Sequence, residues 1–320
     1  MALPFVISVV GPTAVGKSEL ADVLAQTQQS CVISADSMQI YRRLDIGTAK
    51  MSADQMSVPH FGIDIVELTE PFSAAEYQSY ARPLIESFLK ASLKPVVCGG
   101  TGLYVRAALD DMRFPAGNQR DNPIRDTWQN YLDVYGEDAL HAELLARDPQ
   151  SAEVIDKHNH KRVIRALEMY AVGASYHQQA IKFKERTAYY PTCYIGLRME
   201  REALYRHIDN RVDAMLRAGL IDEAQQLKDS GLDVTYTARH AIGYKELFRA
   251  FSGEISLDQA VEDIKRHSRR YAKRQMTWFR GDPRIRWIDV EGLTSQQIRR
   301  RAARIINRYS DEVKGEFSIY

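Results

Sequence analysis

Phe5 Val6 Ile7 Ser8 Val9 Val10 leads without a break into Gly11 Pro12 Thr13 Ala14 Val15 Gly16 Lys17 Ser18, and Glu19 Leu20 Ala21 follow with helical character. An apolar run, a G-x-x-x-x-G-K-S octet and a helix, in that order, make a phosphate-binding loop in its expected context. The glycines let backbone N–H groups curl around phosphate oxygens, and the start of the helix adds its positive end. Lys17 supplies a point charge, and the Ser18 hydroxyl can ligate Mg2+. The octet therefore predicts a di- or triphosphate site at residues 11–18. It also predicts an α/β fold, a P-loop NTPase-like parallel sheet flanked by helices. Whether the phosphate is transferred, hydrolysed or expelled is left open by the loop alone.

The neighbouring strands can be read outward from it. Cys31 Val32 Ile33 Ser34 Ala35 is a second buried run, and it delivers Asp36 and Ser37 at its carboxyl end, the edge where parallel sheets bind ligands. Asp36 is thus a candidate for chemistry or for organising a metal through water; the plainer alternative is a helix N-cap. Gly47 Thr48 Ala49 Lys50 reads as a loop, His60 to Val66 as a short strand, and Ala74 to Lys90 as a helix from the spacing of Tyr77, Tyr80, Leu84, Ile85, Phe88 and Leu89. Lys94 Pro95 Val96 Val97 Cys98 is a third strand. It ends in Gly99 Gly100 Thr101 Gly102, a second glycine-rich turn expected beside the first, with Thr101 near the same phosphates.

From Arg113 to Arg186 strand signals vanish. Pro115, Gly117 and Pro123 punctuate its start, and helical patterns follow around Trp128, Leu132, Leu140, Leu144, Val163, Leu167 and Tyr170. The division is a small all-helical insertion over residues 113–186 and a core over residues 1–112 and 187–320. Cys193 to Leu197 reads as a strand of that core, Glu200 to Arg217 as a long helix, and Ala241 Ile242 Gly243 Tyr244 Lys245 as a turn that opens a helix. The last long helix carries Leu257, Val261, Ile264, Ser268, Tyr271, Gln275 and Trp278 on one face. Its other face shows Lys265, Arg266, Arg269, Arg270, Lys273 and Arg274. Trp278 and Phe279 read as core, and the tail after Arg308 as poorly ordered.

A net charge of +1 conceals an asymmetry: Lys265 to Arg308 holds fourteen Lys or Arg against Asp282, Asp289 and Glu291. Such a segment can neutralise several nucleic-acid phosphates, where the plainer reading is a solvated face. No apolar run approaches the roughly 20 residues that span a bilayer. The first strand begins within five residues of Met1, so no leader is expected and the cytoplasm is the expected location. Cys31, Cys98 and Cys193 are far apart and lie in apolar runs, as core residues of a reduced protein do.

GTPase signalling is disfavoured, because no Asn-Lys-x-Asp motif is present. A small-molecule kinase stays open on the loop alone, although the basic helix exceeds what such an enzyme requires. An RNA-binding module with a nucleotide switch also stays open, but Asp36 beside the loop has no use there.

The ordered motifs resemble the tRNA dimethylallyltransferases, also called tRNA isopentenyltransferases. The resemblance covers nearly the whole chain. It runs from Gly11–Ser18 through Asp36 to Tyr41, Gly47 to Lys50, His60 to Asp64 and Gly99 to Tyr104. It continues through Arg162 with Arg165 to Glu168, Ile208 Asp209 with Arg211 Val212 and Met215, Ala241 to Tyr244, and Arg274 Gln275 with Thr277 to Arg280. Val15 stands where the family commonly has Ser, and His158 Asn159 where it has Asn-Asp. The zinc finger of eukaryotic members is missing, which implies a bacterial type.

The resemblance implies transfer of a dimethylallyl group from dimethylallyl diphosphate to the N6 amine of the adenosine 3′ of the anticodon, with Mg2+ and release of pyrophosphate. The octet Gly11, Pro12, Thr13, Ala14, Val15, Gly16, Lys17 and Ser18 would cradle the diphosphate, Ser18 holding the metal. Asp36 would act as base, with Thr101 and Arg211 steadying the leaving group. The anticodon stem-loop would meet Asp36, Ser37, Met38 and Gln39, then His160, Lys161, Arg162, Val163 and Ile164 of the insertion. It would also meet Arg239, His240, Ala241, Ile242, Gly243 and Tyr244, and Arg269, Arg270, Lys273 and Arg274 of the basic helix. A monomer is expected. The alternative within prenyl transfer is an adenylate isopentenyltransferase making cytokinins, whose free nucleotide gives little reason for the basic helix or the insertion.

Overall fold

β1 (Val6–Val10) is apolar because it is covered on both faces: all five residues are buried, as a central parallel strand requires. A computed structural model of the chain describes residues 4–114, 122–231 and 239–317, with side chains through residue 314. From β1 the chain passes through α1 (Lys17–Thr27), β2 (Val32–Ser34), β3 (His60–Phe61), α2 (Ala74–Lys90), β4 (Val96–Gly99) and α3 (Gly102–Leu109). Four helices come next, α4 (Pro123–Arg147), α5 (Pro149–Val154), α6 (His160–Ala171) and α7 (Tyr176–Lys182). The chain then runs through β5 (Thr192–Arg198), α8 (Arg201–Arg217), α9 (Leu220–Asp229), α10 (Tyr244–Phe251), α11 (Leu257–Arg280), β6 (Arg286–Asp289) and α12 (Ser295–Phe317).

Two compact units result, Met1–Asp110 with Ala188–Tyr320, and Asp111–Thr187. The first is built on a six-stranded sheet of order β3-β2-β4-β1-β5-β6 in which every pairing is parallel. Its core joins Phe5, Ile7 and Val9 of β1 to Leu20 and Leu24 of α1, Ile195 and Leu197 of β5, Ile208 of α8, and Ala302 and Ile306 of α12. Burying each large aliphatic side chain contributes about 1.5–3 kcal/mol, so the register of β1 is firmly set. α2 begins where it does because Ser73 accepts the N–H of Glu76 at 3.2 Å while the Glu76 carboxylate accepts the N–H of Ser73 at 2.7 Å.

The end of the chain departs from the expectation of a disordered tail. α12 is helical to Phe317, with Ala302 and Ile306 buried and Tyr309 edge-on to Phe5 at 5.0 Å. β6 adds a strand the sequence reading did not contain. The basic helix is therefore not the last long one.

The second unit has a core of its own, with Leu140 and Leu144 of α4 meeting Ile155, Val163, Ile164 and Leu167. Pro115 and Gly117 lie outside the described residues. Pro123 starts a helix rather than breaking one: it is the first residue of α4, capped by Asn122 accepting from Ile124 N at 3.1 Å. Buried Glu168 is answered by Arg125 at 2.5 Å and Arg165 at 3.0 Å, as a buried carboxylate must be.

Candidate active site

The loop after β1 can turn only through glycine. Gly11 has φ +147°, and a Cβ there would stand 2.5 Å from Leu197 O on the neighbouring strand. Lys17 folds back over its own loop and donates from Nζ to Pro12 O at 2.5 Å. Burial, helped by Arg211 and opposed by Cys98 and Asp36, pushes its pKa down to about 8. Ser18 is exposed at the first turn of α1.

β2 and β4 bring the next two groups to the same edge. β4 pairs with β1 in parallel register, Val10 opposite Gly99, so the Gly99–Thr101 turn lies beside the phosphate loop. Thr101 Oγ1 accepts the N–H of Ser37 at 3.0 Å and donates to Ser37 Oγ at 3.2 Å. Asp36 Oδ1 accepts the N–H of Met38 at 2.9 Å and closes a turn, with no helix following. The N-cap alternative is thereby removed. Among the described residues Asp36 Oδ2 takes no hydrogen bond, and the residue faces a cavity of about 390 Å³.

Gln275 of α11 ties these loops together. Its carbonyl accepts the N–H of Thr13 at 2.8 Å and its amide donates to Gly100 O at 3.0 Å. The approach is so close that a Cβ on Gly100 would lie 2.1 Å from Nε2. Arg211 of α8 completes the polar wall, donating to Thr13 Oγ1 at 3.1 Å and to Thr48 O at 3.4 Å. Tyr271 lines the same cavity. Burial, with the Asp36 carboxylate, pushes its phenol up to about 12 against the pull of Thr101 and Gln275, so it stays a hydroxyl. Ile208, Val212, Met215, Leu220, Ile242 and Ile264 give the cavity an apolar side, while His240, Lys245, Ser268 and Arg274 add polar groups to its wall. An anion-binding loop and a small apolar chamber in one cavity suit a short hydrocarbon carried on a phosphate.

The residues expected at RNA divide sharply. Ser37, Met38, and His240 to Gly243 line the cavity. Gln39 is spent internally, accepting from Ser34 Oγ at 3.1 Å and donating to Thr48 O at 3.2 Å. Tyr244 is wholly buried and donates to Glu223 at 2.5 Å, which corrects its expected place at RNA. Val163 and Ile164 are corrected likewise. Both are buried in the core of the insertion, because they face the apolar side of a strongly amphipathic helix. His160 on that helix binds Glu137 at 2.7 Å, while Lys161 and Arg162 are exposed, as is Arg239 in the first unit. On α11, Arg269 is held by Asp209 at 2.5 Å. Arg270, Lys273, Arg274 and Arg280 are exposed and pair with no carboxylate among the described residues. Phe279 is core as expected, but Trp278 is 41% exposed and passes over Gly102. The three cysteines are buried and free.

Sequence reasoning missed Gln275 and Tyr271 as site residues, having placed both only on a packing face. The signal was available in their i, i+4 spacing, which aims both at whatever that face covers.

Residues 39–282 match the family described as IPP transferase, and residues 4–58 match isopentenyl transferase. A tRNA dimethylallyltransferase of Geobacillus kaustophilus is 47% identical over 283 residues, 88% of this chain and 89% of that protein. The chain belongs to the tRNA dimethylallyltransferase family. Among solved members, the full-length tRNA isopentenylpyrophosphate transferase from Bacillus halodurans superposes with a TM-score of 0.73 at 40% identity, covering 98% of this chain and 99% of that one. A eukaryotic dimethylallyltransferase acting on tRNA superposes with a TM-score of 0.76 at 26% identity, over 92% of this chain and 77% of that one. Within the family the chain is of the bacterial type.

Proposed function

We propose that the chain transfers a dimethylallyl group from dimethylallyl diphosphate to the N6 amine of the adenosine 3′ of the anticodon in tRNA, releasing pyrophosphate. One observation carries the reading: Thr13 and Ala14 of the phosphate loop, Arg211 and the unpartnered Asp36 Oδ2 meet at one partly apolar cavity, with Thr101 bonded to Ser37 of its wall. A kinase needs no such apolar chamber. Membership of a family of tRNA-modifying enzymes favours tRNA over a free nucleotide as acceptor.

In this reading the amine lone pair forms a bond to the allylic C1 as the C1–O bond breaks. The pyrophosphate keeps that electron pair, and the amine proton goes to Asp36. Backbone N–H groups of residues 14–18, the Lys17 ammonium and the Arg211 guanidinium neutralise charge growing on the leaving group. The apolar wall of Ile208, Val212 and Met215 keeps water from the allylic carbon. Because that amine is hidden in the anticodon stack, the base must be turned out to reach Asp36. The exposed Arg270, Lys273, Arg274 and Arg280 are the natural partners for tRNA phosphates.

Among the described residues no three His, Cys, Asp or Glu cluster to hold a metal. The exposed Ser18 hydroxyl with diphosphate oxygens is the donor set left, which suits Mg2+, an ion that keeps several waters and binds through phosphates. Bound there, Mg2+ would supply further charge neutralisation at the pyrophosphate. No helix among the described residues is long and apolar enough to cross a membrane, and we read the protein as a cytoplasmic monomer.

The test is to incubate the chain with dimethylallyl diphosphate, Mg2+ and unmodified tRNA and to weigh the RNA. A dimethylallyl adduct with released pyrophosphate is expected, and no phosphoryl transfer from ATP. A phosphorylated product in place of the adduct contradicts the reading.

A further inference from the structure

We infer that Glu223, remote from the phosphate loop in sequence and on a different helix from Arg211, is the positioning residue that sets the direction of the Arg211 guanidinium. The inference rests on the role just given to Arg211.

Glu223 lies in the first turn of α9, where a carboxylate could simply face solvent near the positive helix end. Instead it reaches a loop 177 residues away. Its Oε2 accepts the N–H groups of Asp45 at 3.1 Å and Ile46 at 2.9 Å, and Oε1 accepts that of Gly47 at 3.1 Å. Three consecutive amides converging on one anion form a backbone nest, here filled by the protein's own carboxylate. Oε1 also accepts the Tyr244 hydroxyl at 2.5 Å. The Tyr244 ring packs flush on Gly47, where a Cβ would come within 2.6 Å of it. Carboxylate and ring hold the loop together.

The next residue carries the consequence. Thr48 O accepts one arm of Arg211 at 3.4 Å, while the other arm donates to Thr13 Oγ1 at 3.1 Å. A guanidinium is a planar fork, so holding two of its N–H directions fixes its plane. One of those two holds is Thr48, whose carbonyl is aimed by the Glu223 nest, with Gln39 as its other partner at 3.2 Å. Gly47 and Thr48 also line the cavity, so the nest shapes the wall as well as the cation. Glu223 touches no reacting atom in this arrangement. It acts through the loop and through Arg211.

The test is a double-mutant cycle in single-turnover transfer of dimethylallyl to tRNA. Glu223→Gln and Tyr244→Phe are each made alone and with Arg211→Lys. A displacement near 1 Å at such a group costs about a hundredfold, so Glu223→Gln should slow transfer about ten- to a hundredfold. KM for dimethylallyl diphosphate should move by less than about threefold, since the nest aims a group that acts on developing charge. In the Arg211→Lys background, Glu223→Gln should cost almost nothing further. Tyr244→Phe, which removes one bond and no bulk, should show a smaller loss with the same dependence on Arg211, and it decides the matter if Glu223→Gln does not fold. A normal rate, or an equal loss in both backgrounds, overturns the inference while leaving the function standing. A wild-type chain that transfers nothing overturns the prenyl-transfer reading and this inference together.

Discussion

The Gln275 side chain accepts the backbone N–H of Thr13 at 2.8 Å across 262 residues of sequence. Since its amide also donates to Gly100 O at 3.0 Å, a single residue of the basic helix ties both glycine loops to the edge where Asp36 sits. Gln275→Met keeps the volume and removes both bonds, leaving a donor and an acceptor unpaired. Each such buried group costs about 1–3 kcal/mol. Urea unfolding should show a loss of at least that size, and calorimetry should show weaker pyrophosphate binding. Unchanged values for both would mean that the tie does nothing.

Arg269 spends its charge on Asp209, whereas Arg270, Lys273 and Arg280 have no such partner among the described residues. Replacing these three by Ala should weaken tRNA binding and shallow its log–log salt dependence by about 0.7–0.9 for each phosphate no longer neutralised. Arg269→Ala should act differently, chiefly by freeing Asp209. Filter binding from low to moderate salt separates the two. An unaltered slope in the triple variant returns this face of α11 to a solvated surface.

Much of this was legible in the sequence, and what was not has physical causes. The strand Val6–Val10 and the octet after it were readable because each residue there answers to a local rule. Ala74–Lys90 was readable to the residue, because its spacing agrees with the Ser73 and Glu76 cap. β6 escaped because Arg286 Trp287 Ile288 Asp289 is a four-residue edge strand with no apolar run. α12 escaped because its arginines were read as charge alone, which hid Ala302 and Ile306 at helical spacing. Val163, Ile164 and Tyr244 were placed at RNA by their motif neighbours, when the face each occupies turns it into a core. The bonds from Gln275 to Thr13 and from Glu223 to residues 45–47 join segments more than 170 residues apart, where no local pattern can show them.

Lys17 should make diphosphate binding pH-dependent. Its pKa in the free protein is pushed down to about 8 by burial, and a bound diphosphate favours the ammonium and raises it. Below pH 8 the ammonium is present in both states and contributes no slope. Above pH 8 the free protein loses the proton, so binding must take it up and affinity falls, by at most tenfold per pH unit. The sign for folding is opposite. A lysine held below its ordinary value of 10.5 burdens the folded state at neutral pH, and the burden lifts as pH rises from about 8. Calorimetry with dimethylallyl diphosphate from pH 7 to 10 should show the decline, and Lys17→Met should abolish it. A flat profile in the wild type would place the Lys17 pKa well outside this window.

In the proposed reaction Asp36, its Oδ2 unpartnered at the cavity, takes the proton of the attacking amine. Asp36→Asn keeps the shape and can still accept the N–H of Met38, but it cannot accept that proton. General bases contribute about 10² to 10⁴-fold. The deciding measurement is the single-turnover rate of dimethylallyl transfer to tRNA by Asp36→Asn, with diphosphate and tRNA affinities measured alongside. That rate should be lower by about 10² to 10⁴-fold, with both affinities changed far less. A rate equal to wild type, or a loss traced entirely to Mg2+-dependent diphosphate binding, would contradict it.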